Sequence, residues 1–195
     1  QVPSHLRPAF EFASPALSEV VRDINKYSNN VMAQQLLLTL GWRAPASPVA
    51  SLAPSATVEA ALGVLQRWWK ERLPDTPLPM IENGSGLSRT ERIQPQALGQ
   101  LLQTAYQSPV MPEFLASLPI VGIDGTLRRS KAKSALGAAH LKTGSLRDVA
   151  AIAGYVLGNS GRRYVLVAIA NHASPGTLSA VRPLFDTLIE WTQAD

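Results

Sequence analysis

Apolar residues in the first half of the chain recur at three- and four-residue spacing, the period of a helix with one buried face. Ser14-Pro15 reads as an N-cap followed by proline at the first helical position, and Leu17, Val20, Val21 and Ile24 then form a stripe that ends near Lys26. A second stripe, Val31, Met32, Gln35 and Leu36, is expected to stop at Gly41. Arg43 to Pro54 is rich in Pro, Ala and Ser and reads as a surface loop. Val58, Leu62, Leu65 and Trp69 define an amphipathic helix from Thr57 to about Arg72, broken by Pro74 to Pro79. Asn83-Gly84-Ser85-Gly86 is a turn, Pro95 opens a helix carrying Leu98, Leu101, Leu102 and Ala105, and Met111 to Leu118 forms a short one.

After Asp124-Gly125 the period changes. His140–Thr143, Val149–Leu157 and Arg163–Ala170 read as strands, the last two joined by the hairpin connection Gly158-Asn159-Ser160-Gly161. Their nearly continuous apolar character predicts a sheet covered on both faces. A final helix presents Leu178, Val181, Leu184, Phe185, Leu188 and Trp191 to that sheet. The expected division is a mainly helical part, 1–120, and a strand–hairpin–helix part, 121–195. The fold class is α/β of the α+β type, an antiparallel sheet flanked by helices. No internal repeat appears.

Composition narrows this picture only a little. With 195 residues, 46% hydrophobic and 16% charged, the chain has the makings of one ordinary core. No apolar run approaches the roughly 20 residues that span a bilayer. Gln1 opens on polar, Pro-rich sequence without a signal peptide or initiator Met, so the start reads as processed or truncated. The absence of Cys excludes disulfides and thiolate metal sites. A net charge of +4 and a pI near 9.7 mildly favour anionic partners. Part of the excess lies in one run, Arg128, Arg129, Lys131 and Lys133, which reads first as a solvated basic loop and second as a contact for an anionic polymer.

Two short motifs carry the chemistry: Ser28-Asn29-Asn30 at a helix–helix junction and Lys142-Thr143-Gly144 on a strand. The combination Ser-x-Asn plus Lys-Thr-Gly belongs to acyl-serine enzymes, which also need a Ser-x-x-Lys nucleophile. Such chemistry requires a serine attacking an amide carbonyl, a proton relay, two N–H donors for the oxyanion and a cation for a terminal carboxylate. Lys142 and Gly144 share a strand face while Thr143 takes the other, so a local twist is needed to bring Lys142 and Thr143 to one ligand. Gly144 lets a substrate backbone lie against the strand, and the N–H of Ser145 is a candidate oxyanion donor. Ser28 and Asn30 supply a relay hydroxyl and a gripping amide. The one Ser-x-x-Lys in the chain, Ser130 to Lys133, lies in the basic loop rather than at the head of an apolar helix, and is read as a decoy.

Four ordered segments resemble the low-molecular-mass, class C penicillin-binding proteins, the D-alanyl-D-alanine carboxypeptidase/endopeptidases of the bacterial envelope. They are Ser14 to Asn30, Asn83-Gly84-Ser85-Gly86-Leu87-Ser88-Arg89, Leu118 to Arg128, and His140 to Leu146. Asn83 stands where that family usually has Asp. The resemblance implies a penicilloyl-serine transferase fold lacking its upstream helix and strands. It implies cleavage of peptidoglycan stem peptides ending in D-Ala-D-Ala through an acyl-serine, inhibition by β-lactams, and a periplasmic or envelope location. By position it makes Ser28, Asn30 and Lys142 the catalytic set and Thr143, Gly144 and Ser145 the substrate-binding one. The nucleophile then belongs to an N-terminal segment of the same protein outside this chain, and the 195 residues alone are expected to be inactive. The alternatives are a β-lactamase-related hydrolase and a non-catalytic module binding an anionic polymer.

No cofactor or metal is expected, since His5, His140 and His172 lack ligand spacing. His140 reads as a packed strand histidine, and of the adjacent Trp68 and Trp69 one faces the core. Nucleic acid is disfavoured because no aromatics interleave with the basic run.

Overall fold

The computed structural model describes residues 7, 9–43, 56–173 and 177–195, with only the backbone of Thr177 and Leu178. His5, the side chain of Leu178 and all but the first residue of the 43–54 loop lie outside the described residues. Among the described residues five helices precede the sheet: α1 (Leu17–Tyr27), α2 (Asn30–Trp42), α3 (Val58–Arg72), α4 (Pro95–Tyr106) and α5 (Met111–Ser117). A 3-10 turn, Gly125–Leu127, leads into β1 (Ala139–Leu146), β2 (Val149–Leu157) and β3 (Arg163–Asn171), and α6 (Thr177–Gln193) closes the order. The three strands form one antiparallel sheet in the order β1-β2-β3.

The sheet is covered on both faces, as its apolar strands predict. On one face Phe185 and Ile189 of α6 join Leu141, Ile152 and Val156 in the largest core cluster. On the other, Tyr155 packs with Leu102 of α4 and with Phe114, and its hydroxyl donates to the Leu102 carbonyl at 2.6 Å. Burial holds that phenol neutral, its pKa pushed up to about 12.

Three details of the sequence reading change. The first helix starts at Leu17 with Ala16 as N-cap, not at Ser14-Pro15. Glu19 in its first turn accepts a hydrogen bond from the Ala16 N–H at 3.1 Å and so supplies the cap. Gly41 does not stop α2, which runs on to Trp42. It is buried against α3, where a Cβ would sit 2.8 Å from the Thr57 carbonyl and 2.9 Å from the Ala61 nitrogen, so its function is close helix approach. On α6 the packed residues are Val181, Phe185, Leu188 and Ile189, while Leu184 and Trp191 point to solvent.

Candidate functional site

The junction between α1 and α2 is made by the first motif. Ser28 ends α1 in the left-handed conformation, φ 54° and ψ 49°, the sole non-glycine residue with positive φ among those described. That conformation costs about 1–2 kcal/mol for a residue with a Cβ, and the surroundings hold it. Asn29, the middle residue, caps α2 by accepting from the Met32 N–H at 3.1 Å. Capping is thus done by the residue between the two expected functional ones. Ser28 and Asn30 are left to line an open cleft of about 1610 Å³.

The opposite wall is β1. Lys142 Nζ donates to Ser28 Oγ at 3.1 Å and to the Thr143 carbonyl at 2.8 Å. The contact joins residues 114 positions apart and brings the two motifs together. Partial burial pushes the Lys142 ammonium below the ordinary lysine value of 10.5. Thr143 points to the α6 face, as alternation requires, and its hydroxyl lies 2.9 Å from that of Thr126 on the 3-10 turn. Lys142 and Thr143 therefore flank the same strand from opposite faces, and both line the cleft with Gly144 and Ser145.

The edge of β1 is half occupied. The Val121 N–H donates to the Ala139 carbonyl and the Leu141 N–H to the Pro119 carbonyl, both at 2.9 Å, so residues 119–121 lie beside the start of the strand. By the same parity the backbone groups of Thr143 and Ser145 point away from β2. Among the described residues no strand pairs with that stretch, and the Thr143 carbonyl is met by the Lys142 ammonium.

A loop frames the cleft on the side of the Asn83–Arg89 segment. Asn83 Oδ1 accepts from the Ser85 N–H at 2.9 Å and the Ser85 hydroxyl at 2.7 Å, an amide-built turn that needs no charge. Glu91 accepts from the N–H groups of Glu82 and Asn83 at 2.9 and 3.1 Å, and Met80 pairs with Arg92 across the loop base. Ser88 and Thr90 hydroxyls bond the Glu82 carboxylate and lower its pKa. Arg89 is paired with Asp148 in the β1–β2 turn.

Ser130, head of the Ser-x-x-Lys triplet, donates to Asp186 at 2.6 Å on α6, and Lys133 is exposed. The pair lacks the buried lysine that would make the serine a nucleophile. Thr126 and Lys26 are the contributors that periodicity and motif reading missed. Lys26 had marked only the end of a helix, yet it is 7% exposed and bonds Asp124 at 2.6 Å. No grouping of His, Asp and Glu among the described residues suits a metal.

This arrangement of sheet, helices and cleft is the penicillin-binding-protein/β-lactamase-like fold. The chain aligns with penicillin binding protein 4 of Haemophilus influenzae in complex with a β-lactam, with a TM-score of 0.73 and 19% identity over 88% of this chain and 41% of that one. A predatory endopeptidase of Bdellovibrio bacteriovorus aligns at 0.70 and 17% identity, over 91% and 43%. The chain belongs to the D-Ala-D-Ala carboxypeptidase 3 (S13) family, which it matches over residues 1–190. It is 29% identical to the D-alanyl-D-alanine carboxypeptidase of Actinomadura sp. over 187 residues, 93% of this chain and 33% of that protein. Carboxypeptidase DacB of Mycolicibacterium smegmatis is 30% identical over 182 residues, 89% and 38%. The chain thus spans about a third of the length of these relatives.

Proposed function

We propose that this chain is the C-terminal, substrate-gripping portion of a serine-type D-Ala-D-Ala carboxypeptidase/endopeptidase acting on peptidoglycan stem peptides and sensitive to β-lactams. The observation that carries this is the Lys142–Ser28 contact beside an unpaired strand edge. The ammonium, with the paired hydroxyls of Thr143 and Thr126, holds the terminal carboxylate of the substrate. The peptide backbone lies along Thr143–Ser145, where Gly144 offers no side chain to obstruct it. The Ser145 N–H serves as one oxyanion donor. Asn30 grips the peptide, and the Ser28 hydroxyl passes a proton to the leaving amine. Lys142, bonded to that hydroxyl, keeps it oriented and polarised.

The nucleophile, a Ser-x-x-Lys serine, comes from a separate segment of the full-length protein, since Ser130 is engaged by Asp186. Residues 1–120 and 121–195 then form the helical and sheet parts of one transpeptidase-like domain, working in the periplasm or cell envelope. No helix among the described residues is long and apolar enough to cross a membrane.

A fluorescent penicillin tests the reading. The full-length protein should be labelled covalently and should release D-Ala from peptides ending in D-Ala-D-Ala. The 195-residue chain alone should remain unlabelled. Labelling of the isolated chain that disappears in Ser130→Ala would overturn the assignment of the nucleophile.

A further inference from the structure

The Ser28–Lys142 contact closes a ring whose other side runs through the buried Lys26 and the partly exposed Asp124. Lys26, in the last turn of α1, sends its ammonium to Asp124 Oδ2 at 2.6 Å and to the Leu118 carbonyl at 2.7 Å. Asp124 is itself fixed, because its Oδ1 accepts from the Ile120 N–H at 2.8 Å. Ile120 is bridged to His140 on β1, two residues before Lys142. The path runs from Ser28 through Lys26, Asp124, Ile120 and β1 to Lys142, and back to Ser28, with a hydrogen bond or a few covalent links at each step.

Backbone packing tightens the same joint. Gly125 has φ +55° and lies so near α1 that a Cβ would come 2.8 Å from the Lys26 carbonyl. The turn that carries Thr126 is therefore pressed against the helix end that carries Ser28. An ammonium this enclosed needs its carboxylate, since an unpaired buried charge is strongly disfavoured.

We propose that Lys26, acting through Asp124, is a positioning residue that sets the left-handed Ser28 at hydrogen-bond distance from Lys142. The inference rests on the proposed acyl-serine chemistry for its kinetic consequence, but its structural consequence stands independently. Lys26 touches neither Ser28 Oγ nor Lys142, so its contribution is geometric. Loss of the pair should misplace the relay hydroxyl and slow acylation, and leave carboxylate binding by Lys142 and Thr143 nearly intact.

The test uses the full-length protein with Lys26→Met combined with Asp124→Asn. The double variant leaves no unpaired buried charge and keeps an acceptor for the Ile120 N–H. Asp124→Asn alone, which also keeps an oxygen for Lys26, is the milder second variant. Penicillin acylation rate and kcat on a D-Ala-D-Ala peptide should fall about tenfold or more in the double variant, with KM within about twofold and the melting temperature little changed. Asp124→Asn should show a smaller fall of the same pattern. Wild-type kcat in a folded double variant, or a loss confined to KM, would overturn the proposal. A crystal structure of either variant reads the geometry without activity: the Ser28 Oγ–Lys142 Nζ separation should exceed hydrogen-bond range. Retention of the 3.1 Å contact would overturn the positioning role even if the wild-type protein proved to have a different activity. An unlabelled wild-type protein with the expected lengthening in the variant would instead overturn the functional reading alone.

Discussion

Lys142 carries the sharpest expectation at the scale of single residues. Hydrogen bonds to a charged group contribute about 1.5–3 kcal/mol, so Lys142→Ala in the full-length protein should lower kcat/KM on D-Ala-D-Ala peptides by roughly 10–100-fold. A peptide whose terminal carboxylate is converted to an amide should lose distinctly less, keeping only the part of the loss that comes from the unsupported Ser28 hydroxyl. An equal loss on both peptides would remove Lys142 from carboxylate recognition. His140 makes a separate prediction about pH. Burial lowers its pKa below 6.5, and the nearby Lys26 and Arg163 charges push the same way, against the Leu115 carbonyl it bonds and the Asp124 charge. The unfolded chain therefore binds the proton more readily than the native one. This contribution to stability is complete above pH 6.5 and is lost as the pH falls through the lower native value. Denaturation midpoints measured on both sides of that pH should show the decline, and His140→Asn should flatten it. The motif residues Ser28 and Lys142 were legible because they sit in short, chemically specific strings. Lys26 was not, because its carboxylate partner lies 98 residues away and a lysine at a helix end looks solvated until the tertiary contact exists.

At the scale of elements, Gly41 separates what a pattern predicts from what packing decides. Glycine after a periodic stripe reads as a helix stop, yet here it is the point where α2 meets the α3 backbone. Gly41→Ala, a favourable change by helix propensity, should instead destabilise by about 1–3 kcal/mol because the added methyl meets backbone that cannot move aside. Urea unfolding would check it, and a stabilised variant would refute the close-approach argument. The strands were readable because long apolar runs bounded by Gly and Asn have few other fates. The face of α6 was harder. A 17-residue helix with Leu, Phe, Ile and Trp on several sides admits more than one buried stripe, and only the sheet selects Phe185 and Ile189 over Leu184 and Trp191.

For the molecule as a whole, the outer edge of β3 carries a prediction about association. Parity in the ladders turns the backbone of Arg163, Val165, Val167 and Ile169 away from β2, and among the described residues no strand receives it. An apolar edge of this length templates pairing with other chains. The isolated chain should associate in a concentration-dependent way in sedimentation experiments. Val167→Pro, which removes an outward N–H without breaking a ladder bond, should weaken that association. Unchanged association in the proline variant would place the contact elsewhere.

The other edge of the sheet has the opposite character. Residues 119–121 occupy the berth beside Ala139–Leu141 and leave the next few residues of β1 vacant. An extended ligand laid along Thr143 and Ser145 runs into that segment within a residue or two. On the proposed reading the blocked berth is a ruler: it fixes how far along β1 the backbone pairing of a ligand can run, before any side chain has been read.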